Sequence, residues 1–246
     1  MAQSGPGKIR LFYDGFSEDP IAGTAESRPL GDFIVAGQGS AEVDAGVPAL
    51  NSDALSGVGV ITTTNEVDHT TLIGTPVAFD VGLMGTIVAE ARVRLTDLDT
   101  KEVFFGFSDI DPDTLGIQAA VAHGDTATLT LTASDICGFL LSAELTSDEE
   151  WHIIYNGGAT TGVTVSATNG TGVDAVAGEW DVLRIEIDTN GTARFYVNTT
   201  LEATITGAVS TSVDLSCVLG VDAKTAAIET LDVDYLLVKA NRDWTA

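Results

Sequence analysis

The sequence has 246 residues, of which 36 are acidic and 11 basic, giving a formal net charge of −25. This length is enough for one large β domain or for a core domain with an arm. The hydrophobic content of 44% is typical of a folded chain. The shortage of Lys and Arg argues against nucleic acid and anionic membranes as partners, because both attract clustered basic residues.

Residues 1–55 are predicted to form an N-terminal arm, and residues 56–246 one β-sandwich domain. Glycine and proline interrupt the arm, and its apolar runs are short. Strands are predicted within it at Leu11–Phe16 and Asp32–Ala36. The arm has too many apolar residues for a solvated tail, so we expect them to be buried against a neighbouring subunit or against the chain's own sheet. These candidate assembly residues are Ile9, Leu11, Phe12, Tyr13, Phe16, Phe33 and Ile34.

From residue 57 onward, short β patterns dominate. In Gly85–Leu95, apolar residues alternate with mostly polar ones, which predicts a strand with one buried face. Glu102–Ser108 is more continuously apolar, and we interpret the two segments as a hairpin. Trp180–Asp188 alternates again. Further strands are predicted at Val58–Thr64, Ala127–Ala133, Gly138–Glu144, Glu150–Tyr155, Gly162–Ala167, Leu201–Ile205, Cys217–Asp222 and Leu231–Lys239.

The strongest local signal is the Asn190–Gly191 dipeptide between two alternating runs. Both residues tolerate the positive φ of a tight turn, so the segment predicts a β-hairpin. About a dozen short strands at regular spacing, with no amphipathic helix, predict an antiparallel β-sandwich.

Cys137 and Cys217 are the only cysteines, and they lie far apart in the sequence. We expect two buried thiols, with a disulfide as the alternative. The first ten residues contain no apolar segment, so we expect no signal peptide. Three Asn-x-Thr sequons are therefore interpreted as turn chemistry and not as glycan sites; they begin at Asn169, Asn190 and Asn198.

Asp109, Asp111 and Asp113 alternate in a turn that follows a predicted strand. Closely spaced carboxylates are suitable Ca²⁺ ligands, so these residues form a candidate metal site. The loop is not an EF-hand, because Thr114 and Ala120 stand where that motif needs Gly and a bidentate Glu. The alternative is a solvated acidic loop. No other cofactor is predicted.

We expect no enzymatic activity. Glu186 and Asp188 share one strand face, as paired carboxylates do in sandwich glycosidases. The Glu-x-Asp-x-x-Glu pattern of those enzymes is absent, and Arg184 on the same face would neutralise Glu186. Trp151 and Trp180 begin predicted strands, and we expect them in the core or at the sandwich edge, with sugar stacking as the alternative. The histidines show no zinc-ligand spacing; they are His69, His123 and His152.

The central and C-terminal sequence contains a series of segments with a characteristic order: Val88–Leu95, Val103–Asp109, Gly138–Leu141, Trp151–Tyr155, Trp180–Asp188, Arg194–Asn198 and Asp232–Ala240. From about Gly85 to Lys239 the chain resembles the laminin-G-like, concanavalin-A-like jelly-roll domain, and in particular such proteins of tailed-bacteriophage virions. The resemblance implies an all-β, antiparallel jelly-roll sandwich, and the glycine- and proline-interrupted N-terminal sequence adds an extended arm to it. That family includes sugar binders, hydrolases and structural subunits, so the fold alone does not choose the role.

Taken with the charge, the resemblance implies a non-enzymatic virion structural protein, assembled in the host cytoplasm. We expect a capsid decoration (cement) subunit on the outer head surface, because a subunit with a charge of −25 is repelled by packaged DNA. The expected partners are the major capsid protein, other virion subunits and further copies of the chain. The alternative is a lectin-like, glycan-binding module of a head or tail fibre.

Overall fold

The computed structural model describes residues 7–15, 28–37, 49–50, 57–162 and 169–242. Within these ranges the chain forms two large antiparallel sheets and a separate two-stranded one, with short helical turns at Val81–Met84, Pro112–Thr114 and Ile117–Val121. The strands are β1 Lys8–Asp14, β2 Arg28–Leu30, β3 Phe33–Ala36, β4 Ala49–Leu50, β5 Gly59–Thr62, β6 Thr71–Gly74, β7 Phe79–Asp80, β8 Ile87–Arg94, β9 Lys101–Ser108, β10 Ala122–Asp125, β11 Thr128–Leu131, β12 Ile136–Ser142, β13 Glu150–Asn156, β14 Gly170–Asp174, β15 Trp180–Ile187, β16 Ala193–Val197, β17 Thr200–Ile205, β18 Asp214–Ala223 and β19 Thr230–Asn241.

We call the sheet that contains β8 the front sheet and the sheet that contains β9 the back sheet. The front sheet has the order β17–β16–β15–β8–β19–β5–β4, and β1 also pairs with β19. The back sheet has the order β14–β13–β12–β9–β18–β6–β3–β2, and β7 also pairs with β18. The strand pairs are antiparallel, which confirms the predicted all-β sandwich.

The alternating segments of the sequence form front-sheet strands. In β8 the residues of one face, from Ile87 to Val93, are buried between the sheets, while the other face is half-buried. β15 follows the same pattern and continues through the Asn190–Gly191 turn into β16, so the predicted hairpin is confirmed. Gly191 has a φ of 76° at this turn, a conformation in which a Cβ would be strained.

The predicted hairpin between Gly85–Leu95 and Glu102–Ser108 is wrong. β8 pairs with β15 and β19 in the front sheet, whereas β9 pairs with β12 and β18 in the back sheet. β9 is buried along its whole length, because the back sheet is covered on both faces. A strand with one polar face and a strand with two apolar faces therefore belong to different sheets, although they are adjacent in sequence.

Side chains from the inner faces of both sheets fill the main core. The ring of Phe139 packs edge-on against Phe195, with 5.5 Å between the centroids. Trp151 on β13 is fully buried, and its Nε1 donates to Oδ2 of Asp181 on β15 at 3.0 Å. This hydrogen bond links the two sheets across the core, and it satisfies a polar group that would be costly to bury alone.

The described N-terminal residues are strands of the sandwich. β1 pairs with the second half of β19 in the front sheet, and β3 pairs with β6 in the back sheet. Tyr13 and Phe33 lie in the main core with 1% and 2% of their surface exposed. The backbone N–H of Phe12 donates to Oδ2 of Asp32 at 3.2 Å, which links β1 to the turn between β2 and β3.

Residues 109–135, which we call the cover segment, lie over the outer face of the back sheet. Leu115 and Ile117 of this segment pack with Phe104 and Leu140 of the sheet in a second apolar cluster. The two-stranded β10–β11 hairpin belongs to the same segment. The back sheet is therefore buried on both faces in this region, and the front sheet provides the accessible face.

Two carboxyl groups lie opposite each other beneath the cover segment. Glu102 on β9 is the register partner of Asp222 on β18, and both are fully buried. The backbone N–H of Gly124 donates to Glu102 at 3.4 Å, and that of Gln118 donates to Asp222 at 3.4 Å. Burial raises the pKa of Glu102 to about 8 and that of Asp222 to about 6, while the Lys224 Nζ atom, 3.7 Å from Glu102, opposes the shift.

Candidate binding face

The outer face of the front sheet carries charged and aromatic side chains in two neighbouring rows. Each row crosses β16, β15, β8, β19 and β1 in that order, because directly paired residues of adjacent strands point to the same side. We call this surface the front face. Its first row is Arg194, Glu186, Val88, Lys239 and Arg10, and its second row is Tyr196, Arg184, Glu90, Leu237 and Phe12.

Ion pairs hold the guanidinium groups at the β16 end of the front face. Arg194 makes two hydrogen bonds to Asp188, at 2.7 and 2.8 Å, and a third to Glu186 at 3.2 Å. Arg184 bonds to the other oxygen of Glu186 and lies 3.7 Å from Glu90. Half-exposed ion pairs of this kind contribute only about 0–1 kcal/mol each. Their main effect is to fix the direction of the side chains.

Trp180 lies at the end of the front face formed by the start of β15 and the end of β8. The guanidinium carbons of Arg92 and Arg94 lie 4.5 and 4.7 Å from its ring centroid. Asp234 and Asp232 pair with these arginines at 2.7 and 2.5 Å. Trp180 therefore lies outside the main core, in a cation–π arrangement on the surface, whereas Trp151 is a core residue as predicted.

Aromatic rings continue across β19 to the edge of the sheet. Tyr235 donates its hydroxyl to Glu90 at 2.9 Å, and its ring stacks on Phe12 at 6.3 Å. The guanidinium carbon of Arg10 lies 4.9 Å from the Phe12 ring. Burial and the hydrogen bond to Glu90 raise the pKa of Tyr235 above its ordinary value of 10.0, which favours the protonated hydroxyl that donates this bond.

A shallow depression of about 210 Å³ opens in the front face between β8, β15 and β16. The Arg184 guanidinium lies 5.7 Å from the Tyr196 ring, and its Nε atom is buried without a hydrogen-bond partner among the described residues. The depression is smaller than the roughly 300–1,000 Å³ of pockets for drug-sized ligands, and it is lined by Glu90, Val182, Arg184, Glu186, Tyr196 and Thr199. It combines hydrogen-bond donors, acceptors and one aromatic ring.

The electrostatics of these carboxylates differ from those of a glycosidase acid. A general acid for glycoside hydrolysis needs a raised pKa. Hydrogen bonds from Arg194 instead lower the pKa of Asp188, and Glu186 is bound to two guanidinium groups. The arrangement therefore suits binding through fixed, charged hydrogen-bonding groups.

The three residues of the predicted Ca²⁺ site lie in the segment that follows β9, and two of them make backbone contacts. Oδ1 of Asp111 accepts from the backbone N–H of Asp113 at 3.2 Å and so caps the Pro112–Thr114 turn. The backbone N–H of Asp109 donates to the carbonyl of Asp135 at 3.0 Å. Across the described ranges, no group of three or more His, Cys, Asp or Glu side chains is arranged to hold a metal ion.

Most of the predicted assembly residues pack on the chain's own sandwich. The residues in or against the two apolar clusters are Ile9, Leu11, Tyr13, Phe33 and Ile34. Phe12 lies instead on the front face beside Tyr235. Phe16 lies outside the described residues.

The structure also shows the state of both cysteines and of two sequon asparagines, Asn190 and Asn198. Cys137 and Cys217 are both buried free thiols, as predicted, and burial raises the pKa of each. The side chains of Asn190 and Asn198 each accept a backbone hydrogen bond. The Asn190 bond comes from Thr192, two residues on, and is the local turn chemistry that the sequence indicated. The Asn198 bond comes from Val182 on β15 and is a contact between strands.

Several front-face residues were missed by the sequence analysis, chiefly Arg10, Lys239, Glu90 and Tyr196. The alternation of β8 and β15 correctly showed which of their side chains point outward. Nothing local to the sequence indicated that Arg10 and Lys239, 229 positions apart, are cross-strand neighbours.

In the ranges that the structure describes, the chain contains no helix of the length and apolarity needed to cross a membrane.

No protein-family model matches the sequence, and no curated protein matches it. Solved structures do match the fold. A protein of unknown function, SO2946 from Shewanella oneidensis MR-1, has a TM-score of 0.58 at 11% identity, covering 97% of this chain and 89% of that one. Peanut lectin has a TM-score of 0.52 at 12% identity, covering 95% of this chain and 97% of that one.

The carbohydrate recognition domain of Emp47p has a TM-score of 0.51 at 9% identity, covering 96% of this chain and 89% of that one. At these identities the likeness concerns the fold and not the activity. The chain therefore has the lectin-like, concanavalin-A-like jelly-roll fold that the sequence predicted.

Proposed function

We propose that this chain is a non-enzymatic, glycan-binding module that binds its ligand on the front face. The observation that carries the proposal is the depression beside Tyr196, where a ring, two carboxylates and a fixed guanidinium converge. Sugars offer apolar C–H faces to an aromatic ring and hydroxyls that both donate and accept. The Glu90, Arg184 and Glu186 side chains supply the complementary acceptors and donors.

The size and electrostatics of the depression support binding without hydrolysis. With a volume of about 210 Å³ the depression is too small for a whole oligosaccharide, so we expect it to bind one sugar residue and to leave the rest on the open sheet face. Both oxygens of the Glu186 carboxylate are bonded to arginines, so this group is already engaged as a hydrogen-bond acceptor. We therefore expect glycan binding with no release of reducing sugar.

Glycan-array binding followed by calorimetry tests this function. We expect Tyr196→Ala to weaken binding of the selected glycan at least tenfold, because the stacking surface is lost. Thr204→Ala is the matched control. Thr204 lies on β17, where it pairs with Arg194 of β16, but it does not line the depression. Absence of binding to every glycan, or an unchanged affinity of the Tyr196→Ala protein, would refute the proposal.

A second candidate function is that of a capsid decoration subunit on the outside of a bacteriophage head. The net charge of −25 supports this function, because so acidic a subunit would be repelled by the packaged DNA and would therefore lie on the outside of the head. The two functions are compatible, since a decoration subunit can present a glycan-binding face to solvent. In this proposal the partners are the major capsid protein and neighbouring copies of the chain, in the virion.

A further inference from the structure

The basic residues of this acidic chain are distributed unevenly. Of the 11 Lys and Arg residues, six form ion pairs: Arg92, Arg94, Lys101, Arg184, Arg194 and Lys224. Apart from Arg28, the remaining four make no ion pair with any described residue, and all four lie at one end of the β1–β19 ladder. They are Lys8, Arg10, Lys239 and Arg242.

Arg10 and Lys239 are directly opposite each other in that ladder. Like charges at directly opposite positions of an antiparallel pair destabilise the sheet. Acidic residues are more than three times as numerous as basic ones in this chain, yet none of those described pairs with either side chain. An anion supplied from outside would remove the repulsion.

The same pair lies in line with the proposed glycan site. Lys239 is the register partner of Val88, and Val88 is the register partner of Glu186, which lines the depression. With neighbouring strands about 4.8 Å apart, Arg10 lies roughly 14 Å along the row from Glu186. A short oligosaccharide seated in the depression can reach it across the open sheet face.

The guanidinium of Arg10 is also held in position. It lies 4.9 Å from the Phe12 ring, which in turn stacks on Tyr235. A planar guanidinium fixed on an aromatic face can present two parallel N–H groups to a carboxylate or sulfate. Lys239 adds a second positive charge on the same side.

We propose that Arg10 and Lys239 form an anion subsite, so that the preferred ligand is an acidic glycan carrying a carboxylate or sulfate group. This inference rests on the proposed glycan-binding function and adds the chemical class of the ligand. The depression beside Tyr196 binds one sugar residue, and the subsite binds the charged group of a residue farther along. The negative charge of the rest of the chain then directs acidic ligands to the Arg10–Lys239 pair.

The test compares matched neutral, carboxylated and sulfated forms of gluco-, galacto- and manno-oligosaccharides, by calorimetry at 50 and 500 mM NaCl. We expect an acidic form to bind at least tenfold more tightly than its neutral counterpart at low salt, and the difference to shrink at high salt. Comparison of the carboxylated and sulfated series identifies which anion is recognised.

The Arg10→Gln, Lys239→Gln double variant is expected to lose the preference for acidic glycans while keeping its affinity for neutral ones. The Lys8→Gln, Arg242→Gln double variant is the control. It changes the net charge by the same amount next to the Arg10–Lys239 pair, and we expect it to keep the preference for acidic glycans. Equal loss in both variants would mean that only general charge matters, and would overturn the subsite.

The outcomes separate the two proposals. Equal binding of neutral and acidic forms overturns the anion subsite and leaves the glycan site standing. Binding of acidic forms alone, lost in the Arg10→Gln, Lys239→Gln protein but not in Tyr196→Ala, supports the subsite and overturns the depression as the sugar site. Absence of binding by every form overturns both. Aggregation of the double variant with unchanged glycan binding would assign Arg10 and Lys239 to protection of the sheet edge.

Discussion

At the scale of single residues, two buried carboxyl groups make the stability of the fold depend on pH. Glu102 and Asp222 are cross-strand neighbours without access to water, and Lys224 is the nearest cation to Glu102. Burial disfavours the charged form of each, so both keep their protons to a higher pH in the folded chain than in the unfolded chain. They also accept hydrogen bonds from the cover segment, so their protonation is coupled to how firmly that segment is held.

This arrangement predicts that stability falls as the pH rises. The pKa of Asp222 is about 6 in the folded chain, compared with an ordinary value of 3.8. The pKa of Glu102 is about 8, compared with an ordinary value of 4.5. A group whose pKa is higher in the folded chain contributes its full stabilisation at pH values below its unfolded pKa. This contribution to the free energy of unfolding is lost as the pH rises through the folded pKa. We expect the melting temperature to drop by several degrees between pH 5 and pH 9.

Glu102→Gln is the matched variant, because glutamine keeps the oxygen that accepts from Gly124 and cannot ionise. Its melting temperature should depend less on pH above 6 than that of the parent chain. Calorimetric scans from pH 4.5 to 9 measure the effect. A parent and a variant with parallel pH profiles would contradict this account of the buried pair.

At the scale of elements, the β15–β16 hairpin shows local chemistry and tertiary packing acting on the same residue. Gly191 has a positive φ, and a Cβ at this position would lie 2.3 Å from the carbonyl oxygen of Val209. The turn thus requires glycine both for its backbone conformation and for the close approach of the loop before β18. Only the first requirement is visible in the Asn190–Gly191 dipeptide.

Gly178 provides a control that separates these two requirements. It also has a positive φ, of 83°, but a Cβ there would meet nothing within 4 Å. We expect Gly178→Ala to cost about 1 kcal/mol, the strain of a left-handed conformation. Gly191→Ala adds a steric clash and should cost at least about 2 kcal/mol. Urea denaturation of both variants measures the difference. Equal losses of unfolding free energy would show that the loop at Val209 moves away from the added Cβ at little cost.

At the scale of the whole molecule, the N-terminal strands change what the predicted assembly arm can do. β1 places Tyr13 inward and Phe12 outward, so neighbouring residues belong to the core and to the front face. A deletion of residues 1–35 would remove strands from both sheets. If such a deletion abolished assembly, the cause could be either the loss of a docking arm or the unfolding of the domain, and the experiment would not distinguish them.

Point variants at these two positions make the decoration proposal testable. Tyr13→Ala is expected to destabilise the fold by about 3–5 kcal/mol, the usual range for large aromatic residues in a core. Phe12→Ala should change the melting temperature little. If the N-terminal strand also docks on the capsid, Phe12→Ala should lower occupancy on purified capsids, measured by co-sedimentation. Normal occupancy of the folded Phe12→Ala protein would contradict docking through this strand.

The sequence by itself determined the fold class, the faces of β8 and β15, the turn at Asn190–Gly191 and the buried state of both thiols. The first three features depend on the two-residue period of a strand or on turn chemistry, which are local properties. The state of the thiols was inferred from the number and separation of the cysteines. The tertiary structure alone decided that β8 and β9 lie in different sheets and that the cover segment closes the back sheet. It also brought Arg10, Lys239 and Glu186 into one row, because strand pairing is set by burial and register between segments far apart in the chain.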